Sequence, residues 1–226
     1  MEQRTPEWYQ ARCGKVTASR VCDVVARTQK GWGAARAKYM DQLVAERLSG
    51  KPQDMRNVRS MADRAGMEPE ARIAYEFYTD REIKLVGFVP HPSIENAGAS
   101  PDGDVDDDGG VEIKCLDASN HTKLLLGDES PMLDYQEQMD FQMACTGNRW
   151  VDFVAYCPIM PEELKLIVKR VDRDDRRIEK LEVAVIQFLA EVDEKVKRVL
   201  ALTNGKSALT VALEQSLETK GVAHVV

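Results

Sequence analysis

The stretch Ser100–Cys115, SPDGDVDDDGGVEIKC, gathers six carboxylates and one lysine within sixteen residues. Three interpretations are open for so much like charge: a solvated turn, a calcium loop, or a metal site that handles phosphate. Asp-Gly sequences between strand-like segments favour hairpin turns. The residues predicted to belong to such a turn are Asp104, Asp106, Asp107 and Asp108.

The calcium interpretation fits only part of this stretch. Asp104, Asp106, Asp108 and Gly109 match positions 1, 3, 5 and 6 of an EF-hand loop. Position 12 of that loop needs a bidentate glutamate, and here it is Cys115. The sequence before the loop is also typical of a strand rather than a helix. A non-catalytic calcium-binding module is therefore the weaker alternative.

A turn alone does not explain Asp102, Glu112 and Lys114. Alternate side chains of a strand share a face, so Glu112 and Lys114 point one way while Val111 and Ile113 point into the core. Asp102, on the other arm of the hairpin, can then lie beside Glu112, and two close carboxylates repel unless a cation lies between them. Oxygen ligands without histidine select Mg²⁺ or Mn²⁺. A lysine beside such a metal could orient water or stabilise charge on phosphate, which indicates a phosphodiesterase site.

The periodicity around this stretch alternates between helix and strand. Helices are predicted over 15–27, 34–50, 61–80, 131–147 and 176–203, and strands over 83–89, 98–105, 110–116, 150–158 and 163–171. This order predicts an α/β fold with a central mixed β-sheet flanked by helices. A Thr or Ser hydroxyl is predicted to cap the first helix, Gly50 to end the second, and Pro69 to break or restart the third near Glu68.

Length and composition predict one globular domain over 1–226, with a peripheral tail after about 204. No apolar run is long enough for a membrane span, and the N-terminal residues lack a secretory pattern, which predicts a cytoplasmic protein. The five scattered cysteines do not predict a disulfide framework. Residues 1–60 carry 12 basic and 6 acidic side chains in a chain of net charge −7, which favours one phosphate-facing surface.

Four motifs follow one another along the chain: EWYQARCGKVTAS (7–19), GMEPEAR (66–72), SPDG…GGVEIKC (100–115) and YQEQMDF (135–141). The third contains Pro101-Asp102 and Glu112-Ile113-Lys114, which match the PD-(D/E)xK nuclease signature. In this order the motifs resemble the phage lambda exonuclease family of viral recombination nucleases. The resemblance extends over roughly residues 7–160 and implies a restriction-endonuclease-like PD-(D/E)xK core.

The family resemblance implies a 5′→3′ exonuclease that degrades one strand of linear double-stranded DNA and leaves 3′ overhangs for recombination by strand annealing. It implies two Mg²⁺ ions per site, for which Mn²⁺ substitutes. The implied partners are DNA with a 5′-phosphorylated end, a single-strand annealing protein, and further copies of the chain in a ring-shaped homotrimer, with no membrane. A phage or prophage protein working in the bacterial cytoplasm fits this description.

The resemblance also assigns the site residues. The implied metal ligands are Glu68, Asp102, Glu112 and the backbone carbonyl of Ile113, and Lys114 is the implied catalytic lysine. Glu70 is the nearest rival of Glu68, because Arg64 stands where the family has a glycine and Pro69 is a second local departure.

A second set of residues is implied to bind the 5′-terminal phosphate: Arg12, Ser19, Ser100 and Gln138. Each has a simpler interpretation by itself, since Ser19 could cap a helix, Arg12 could form a surface ion pair and Gln138 could lie on an exposed helix face. Trp32, in a glycine-rich basic loop, is either a core residue or a DNA contact. The alternatives within the fold are a PD-(D/E)xK endonuclease and a RecB-like repair nuclease.

Overall fold

The computed structural model describes residues 1–53 and 58–202. The helices are α1 (Pro6–Arg12), α2 (Val21–Val25), α3 (Ala34–Ser49), α4 (Val58–Thr79), α5 (Ala118–Leu125), α6 (Ser130–Leu133), α7 (Gln136–Thr146) and α8 (Asp175–Leu202). The strands are β1 (Val16–Thr17), β2 (Arg27–Thr28), β3 (Gly31–Trp32), β4 (Ile83–Lys84), β5 (Val89–Pro90), β6 (Ala97–Ala99), β7 (Gly103–Val105), β8 (Gly109–Cys115), β9 (Trp150–Tyr156) and β10 (Leu166–Asp172). The expected tail after 204 lies outside the described residues.

A five-stranded sheet in the order β10-β9-β8-β7-β4 forms the centre of the fold. Strand β8 pairs in parallel with β9 and antiparallel with β7, so the sheet is mixed, as predicted. Helix α4 packs on one face through Tyr75, which joins Val111 and Ile113 in one core cluster. Met139 and Met143 of α7 belong to a different cluster. Because the central strands are covered on both faces, β8 can hold charged side chains away from water.

A second, three-stranded sheet has the order β1-β6-β5. After β4 the chain passes between the two sheets twice, once between β4 and β5 and once between β6 and β7. The predicted strands 83–89 and 98–105 are therefore each two shorter strands. At the second passage Pro101 interrupts the ladder, because proline has no amide proton to donate. This passage places Ser100 and Asp102 where the two sheets meet.

The structure confirms some predicted element boundaries and corrects others. Helix α3 ends at Gly50, whose left-handed φ of 66° is a common helix terminus. The predicted break at Pro69 is wrong, since α4 continues through it. An interior proline costs about 3 kcal/mol, and the burial of Ala71 and Tyr75 against the sheet offsets this cost. The predicted helix 131–147 is divided into α6 and α7, and α5 is a helix that the patterns did not predict.

The acidic stretch forms the hairpin between β7 and β8. Gly109 begins β8 under the indole of Trp150, and a Cβ atom at that position would stand 2.0 Å from the ring. A glycine is therefore needed for the strand to pass beneath the tryptophan. None of the helices in the described parts of the chain combines the length and apolar character needed to cross a membrane.

Candidate active site

The hairpin brings Asp102 and β8 together. The backbone amide of Ile113 donates a hydrogen bond of 2.7 Å to Oδ2 of Asp102, which stands one residue before β7. Glu112 and Lys114 flank Ile113 on β8, and Lys114 Nζ lies 2.5 Å from Glu112 Oε1. The residues of the PD-(D/E)xK signature therefore meet at one place in the fold.

Glu112 is only 1% exposed, and both of its carboxylate oxygens accept hydrogen bonds from helix α7. Gln138 Nε2 donates to Oε1 at 2.7 Å, and Gln142 Nε2 donates to Oε2 at 2.5 Å. A buried carboxylate is tolerated only when such donors replace water. The sequence analysis missed Gln142, although its separation of four residues from Gln138 places both on one helix face.

Asp102 lies in an unfavourable environment for a negative charge. Burial raises its pKa well above the ordinary value, and the carboxylates of Glu112 and Glu68 raise the pKa further. The ammonium of Lys114 and the amide of Ile113 act in the opposite direction but do not compensate. The protein alone therefore disfavours a negative charge on Asp102.

Lys114 is positively charged at neutral pH. Burial lowers its pKa, but the carboxylates of Glu112 and Asp102 outweigh burial and raise the pKa above the ordinary 10.5. Its ammonium also stands 4.6 Å from the centre of the Tyr135 ring, a favourable cation–π distance. The side chain can therefore donate hydrogen bonds to an anion next to Glu112.

The two candidate acids of α4 differ in what they contact. Glu68 raises the pKa of Asp102, and its Oε2 accepts from Arg4 Nη2 at 2.5 Å. Glu70 instead accepts a hydrogen bond of 2.5 Å from the hydroxyl of Tyr156. Of the two, Glu68 interacts electrostatically with Asp102, whereas Glu70 is held by Tyr156. Asp102, Glu112 and Lys114 are together called the acidic centre.

The donors around Asp102 suit a hard divalent cation, because they are carboxylate oxygens. Within residues 1–53 and 58–202, no three His, Cys, Asp or Glu side chains are grouped closely enough to hold an ion. Cationic side chains contact two of the carboxylates instead: Arg4 pairs with Glu68, and Lys114 pairs with Glu112. The residues that would hold a cation are therefore present, and two of the three carboxylates contact a cationic side chain.

Two residues implied to bind the 5′ phosphate meet beside this centre. Arg12 Nη1 and the indole nitrogen of Trp8 both donate to the hydroxyl oxygen of Ser100, each at 3.0 Å. The Arg12 guanidinium also stacks over the Trp8 ring at 4.1 Å. Because Ser100 is two residues before Asp102, this pair lies next to the acidic centre.

The other two members of the implied phosphate set are placed differently. Ser19 lies in a 3₁₀ turn over Ala18–Arg20, with its hydroxyl 3.4 Å from that of Thr17. Neither hydroxyl caps α2, so the predicted cap is wrong; the 3₁₀ turn displaces the helix start to Val21. Gln138 Nε2 donates to Glu112 Oε1, which places it beside the metal-ligand candidates.

Two further carboxylates of the hairpin have protein partners consistent with a turn. Asp108 accepts from the indole nitrogen of Trp150 at 3.1 Å, and Asp106, in a left-handed conformation, pairs with Arg81 at 3.5 Å. Trp32 is 46% exposed on the β2–β3 hairpin. It is therefore not a core residue.

Comparison with known proteins gives consistent likenesses. The family model for the YqaJ-like viral recombinase domain matches residues 7–149. An alkaline exonuclease from Laribacter hongkongensis is 38% identical, with a TM-score of 0.80, and the match covers 90% of this chain and all of that one. The same exonuclease in complex with dAMP is 39% identical, with a TM-score of 0.81 and the same coverage.

A phage-related exonuclease from Haemophilus somnus 129PT is 13% identical, with a TM-score of 0.67 over 82% of this chain and 96% of that one, a likeness of fold alone. Comparison with curated proteins finds no match. The solved structures confirm the predicted fold class, a mixed α/β core of the PD-(D/E)xK type.

Proposed function

This chain belongs to the YqaJ-like viral recombinase family, and from that premise we propose that it is a Mg²⁺-dependent 5′→3′ exonuclease acting on linear double-stranded DNA. The observation that carries the proposal is the buried group of Asp102, Glu112 and Lys114, joined through the amide of Ile113. A solvated turn needs neither a carboxylate that is 1% exposed nor a lysine held against it. A metal-dependent phosphodiesterase site can use both, the carboxylate as a metal ligand and the lysine as a donor to the phosphate.

The proposed metal ligands are Glu68, Asp102, Glu112 and the backbone carbonyl of Ile113. When bound, two Mg²⁺ or Mn²⁺ ions supply Lewis acidity to the scissile phosphate and lower the pKa of a water. Gln138 and Gln142 hold the Glu112 carboxylate in one orientation on β8. Burial and the neighbouring carboxylates both raise the pKa of Asp102, and a bound cation would favour its ionised form.

Lys114 would orient the attacking water and stabilise charge on the phosphate. Since the neighbouring carboxylates keep it protonated, it acts in this proposal as a hydrogen-bond donor. An ammonium in a water-poor site stabilises developing negative charge more strongly than it does in solution.

Strand polarity is proposed to come from a phosphate pocket formed by Arg12, Ser19, Ser100 and Gln138. A guanidinium makes paired hydrogen bonds to phosphate oxygens. The contact of Arg12 with Ser100, two residues before Asp102, supports a pocket immediately next to the cutting site. A terminal phosphate in this pocket would place the next bond at the metals, which gives removal from the 5′ end.

The remaining parts of the proposal concern the assembly. We infer that 1–226 is a single nuclease domain, that three copies form a ring around the duplex, and that the 3′ overhangs pass to a single-strand annealing protein. The excess of basic side chains within residues 1–60 of an otherwise acidic chain supports one DNA-facing surface. The protein would work in the cytoplasm of a bacterial host.

The test uses linear duplex DNA with either a 5′ phosphate or a 5′ hydroxyl, labelled at each end in turn, with Mg²⁺ or with EDTA. Loss of the 5′-ended strand, faster with the phosphate and absent with EDTA, is expected. Closed circular DNA is the control substrate, and its cleavage would assign the site to an endonuclease instead. No cleavage with Mg²⁺ or Mn²⁺ would overturn the proposal.

A further inference from the structure

Arg4 adopts a left-handed backbone conformation, with φ of 66°. The other non-glycine residues with positive φ in the described parts of the chain are Asp80, Asn96 and Asp106. Asp and Asn tolerate this conformation because their short side chains hydrogen-bond locally, whereas a long side chain does so at a cost. The strained conformation at Arg4 therefore calls for a compensating interaction.

The neighbours of Arg4 hold it at this place. Gln3 Nε2 donates to the backbone carbonyls of Val86, at 3.0 Å, and Pro101, at 2.7 Å. On the other side, the Thr5 hydroxyl caps helix α1 by accepting from the amide of Trp8 at 3.3 Å. Arg4 is thus held between two anchors, Pro101 on one side and the start of helix α1 on the other. Pro101 precedes Asp102, and α1 ends at Arg12.

The Arg4 side chain interacts with Glu68 of helix α4. Its Nη2 lies 2.5 Å from Oε2 of Glu68, while the side chain remains 53% exposed. Arg72 stands farther away, with 3.5 Å between its Nη2 and the other oxygen of Glu68. An ion pair this exposed contributes about 1 kcal/mol or less to stability, so stability gives little reason for the strained residue.

We propose that Arg4 is a phosphate-binding residue of the cutting site, held on Glu68 in the absence of cation and DNA and transferred to a DNA phosphate when both bind. This inference rests on the proposed function, because it requires Glu68 to bind a cation and DNA to be the substrate. A cation on Glu68 engages the carboxylate oxygens and repels the guanidinium. A DNA phosphate brought beside the cation then offers Arg4 a new anionic partner in paired geometry.

The proposal predicts two effects of opposite sign. Without DNA, Arg4 competes with the cation for Glu68, so its removal should strengthen cation binding. With DNA and cation present, Arg4 contributes to the complex, so its removal should weaken DNA binding. A residue that merely supported the fold would weaken both.

The variant Arg4→Gly removes the guanidinium and suits the left-handed conformation, so it retains the fold. Arg4→Lys keeps the charge but loses the paired geometry. The matched control is Arg176→Ala, an exposed arginine at the start of α8. Mn²⁺ binding is measured by calorimetry without DNA, and binding of a 5′-phosphorylated duplex by fluorescence anisotropy with Mg²⁺. The DNA measurement uses the Lys114→Ala background to prevent cleavage.

For Arg4→Gly we expect the Mn²⁺ Kd to fall about threefold to fivefold, the range that the loss of an exposed competing ion pair allows. The DNA Kd should rise about tenfold, which corresponds to the loss of one charge-assisted hydrogen bond. Arg4→Lys should lie between Arg4→Gly and the unsubstituted residue, and the control should leave both constants within about twofold. Any other combination, such as weaker DNA binding without tighter Mn²⁺ binding, overturns the inference. If the unsubstituted protein neither binds Mn²⁺ nor cleaves DNA, the proposed function itself fails, which is a distinguishable result.

Discussion

The two sheets hold their functional side chains in different ways. On the five-stranded sheet, Glu112 is buried, and Gln138, Gln142 and Lys114 contact its carboxylate oxygens. At the end of the three-stranded sheet, Ser100 meets Arg12 at a partly exposed junction. In the first arrangement, protein donors already contact both carboxylate oxygens of Glu112 before any ligand binds. In the second, Arg12 and Trp8 both donate to the single hydroxyl of Ser100. The difference suggests that the acidic centre determines the chemistry and the junction determines which DNA end is accepted.

Lys114→Ala is the strongest test of this division. The loss of the ammonium beside Glu112 should lower single-turnover cleavage by about a thousandfold or more, because it removes the charge that stabilises the phosphate in the transition state. Cleavage of DNA with 5′ phosphate and 5′ hydroxyl should fall by the same factor. A loss of cleavage confined to phosphorylated DNA would assign Lys114 to end recognition. It would contradict the division of roles between the acidic centre and the Ser100–Arg12 junction.

Gln142→Leu tests whether the rigidity of the acidic centre matters. This change leaves Glu112 Oε2 without its donor, so cleavage should fall about tenfold to a hundredfold, the range for residues that support metal ligands. The Mg²⁺ concentration for half-maximal rate should rise. Unfolding should become easier by about 1–3 kcal/mol, since a buried charge loses a hydrogen bond.

Gln136→Leu is the matched control for this prediction. Gln136 begins the same helix and donates to Asp140 at 3.1 Å, away from Glu112. It should change stability without changing the Mg²⁺ requirement. If both variants need the same Mg²⁺ concentration for half-maximal rate, Gln142 contributes to packing only.

Arg12→Ala addresses the junction. The rate advantage of a 5′-phosphorylated end over a 5′ hydroxyl should fall by about tenfold, because one guanidinium contact is lost. Cleavage of the hydroxyl end should change little. Arg12→Lys should restore part of the preference, and the ratio of kcat/KM for the two ends is the measurement. An equal loss on both ends would mean that the junction does not select DNA ends.

The sequence predicted the acidic centre better than the junction, and the reason is physical. Asp102, Glu112 and Lys114 lie on one hairpin, where strand alternation and a short turn determine which side chains meet. Their support by Gln142 comes from a helix 30 residues away in sequence, so no local pattern indicates it. The same holds for Arg4 and Glu68, which are separated by 64 residues.

The helix predictions failed where tertiary contacts outweigh local preference. Pro69 should end a helix by itself, yet α4 continues because Ala71 and Tyr75 are buried against the sheet. Ser19 resembles a cap, but a 3₁₀ turn intervenes before α2. In both cases the outcome depends on packing that a single sequence does not specify.

The smallest expected effect concerns His91, which follows the three-stranded sheet's β5. Its ring is buried and stacks on Phe141 at 5.4 Å, and Nδ1 accepts from the amides of Ser93 and Ile94 at 3.2 and 3.1 Å. Burial lowers the pKa of His91, while Glu182, 3.0 Å from Nε2, opposes this shift without cancelling it. The neutral form is therefore preferred in the folded state.

A histidine pKa that is lower in the folded state makes the folded protein bind fewer protons than the unfolded chain. The contribution of His91 to the free energy of unfolding should therefore be fully retained above pH 6.5, the ordinary pKa, and should decrease as the pH falls through the folded pKa. This decrease should be the smallest of the predicted effects, and it is measured as the difference between the unsubstituted protein and His91→Gln in urea denaturation above and below about pH 6.5. His91→Gln, which retains an acceptor, should reduce this slope, whereas Gln142→Leu should leave it unchanged because it acts on the other sheet. If the free energy of unfolding depends on pH in the same way in His91→Gln, the titrating group is not His91. The pH dependence would then not distinguish the three-stranded sheet from the five-stranded one.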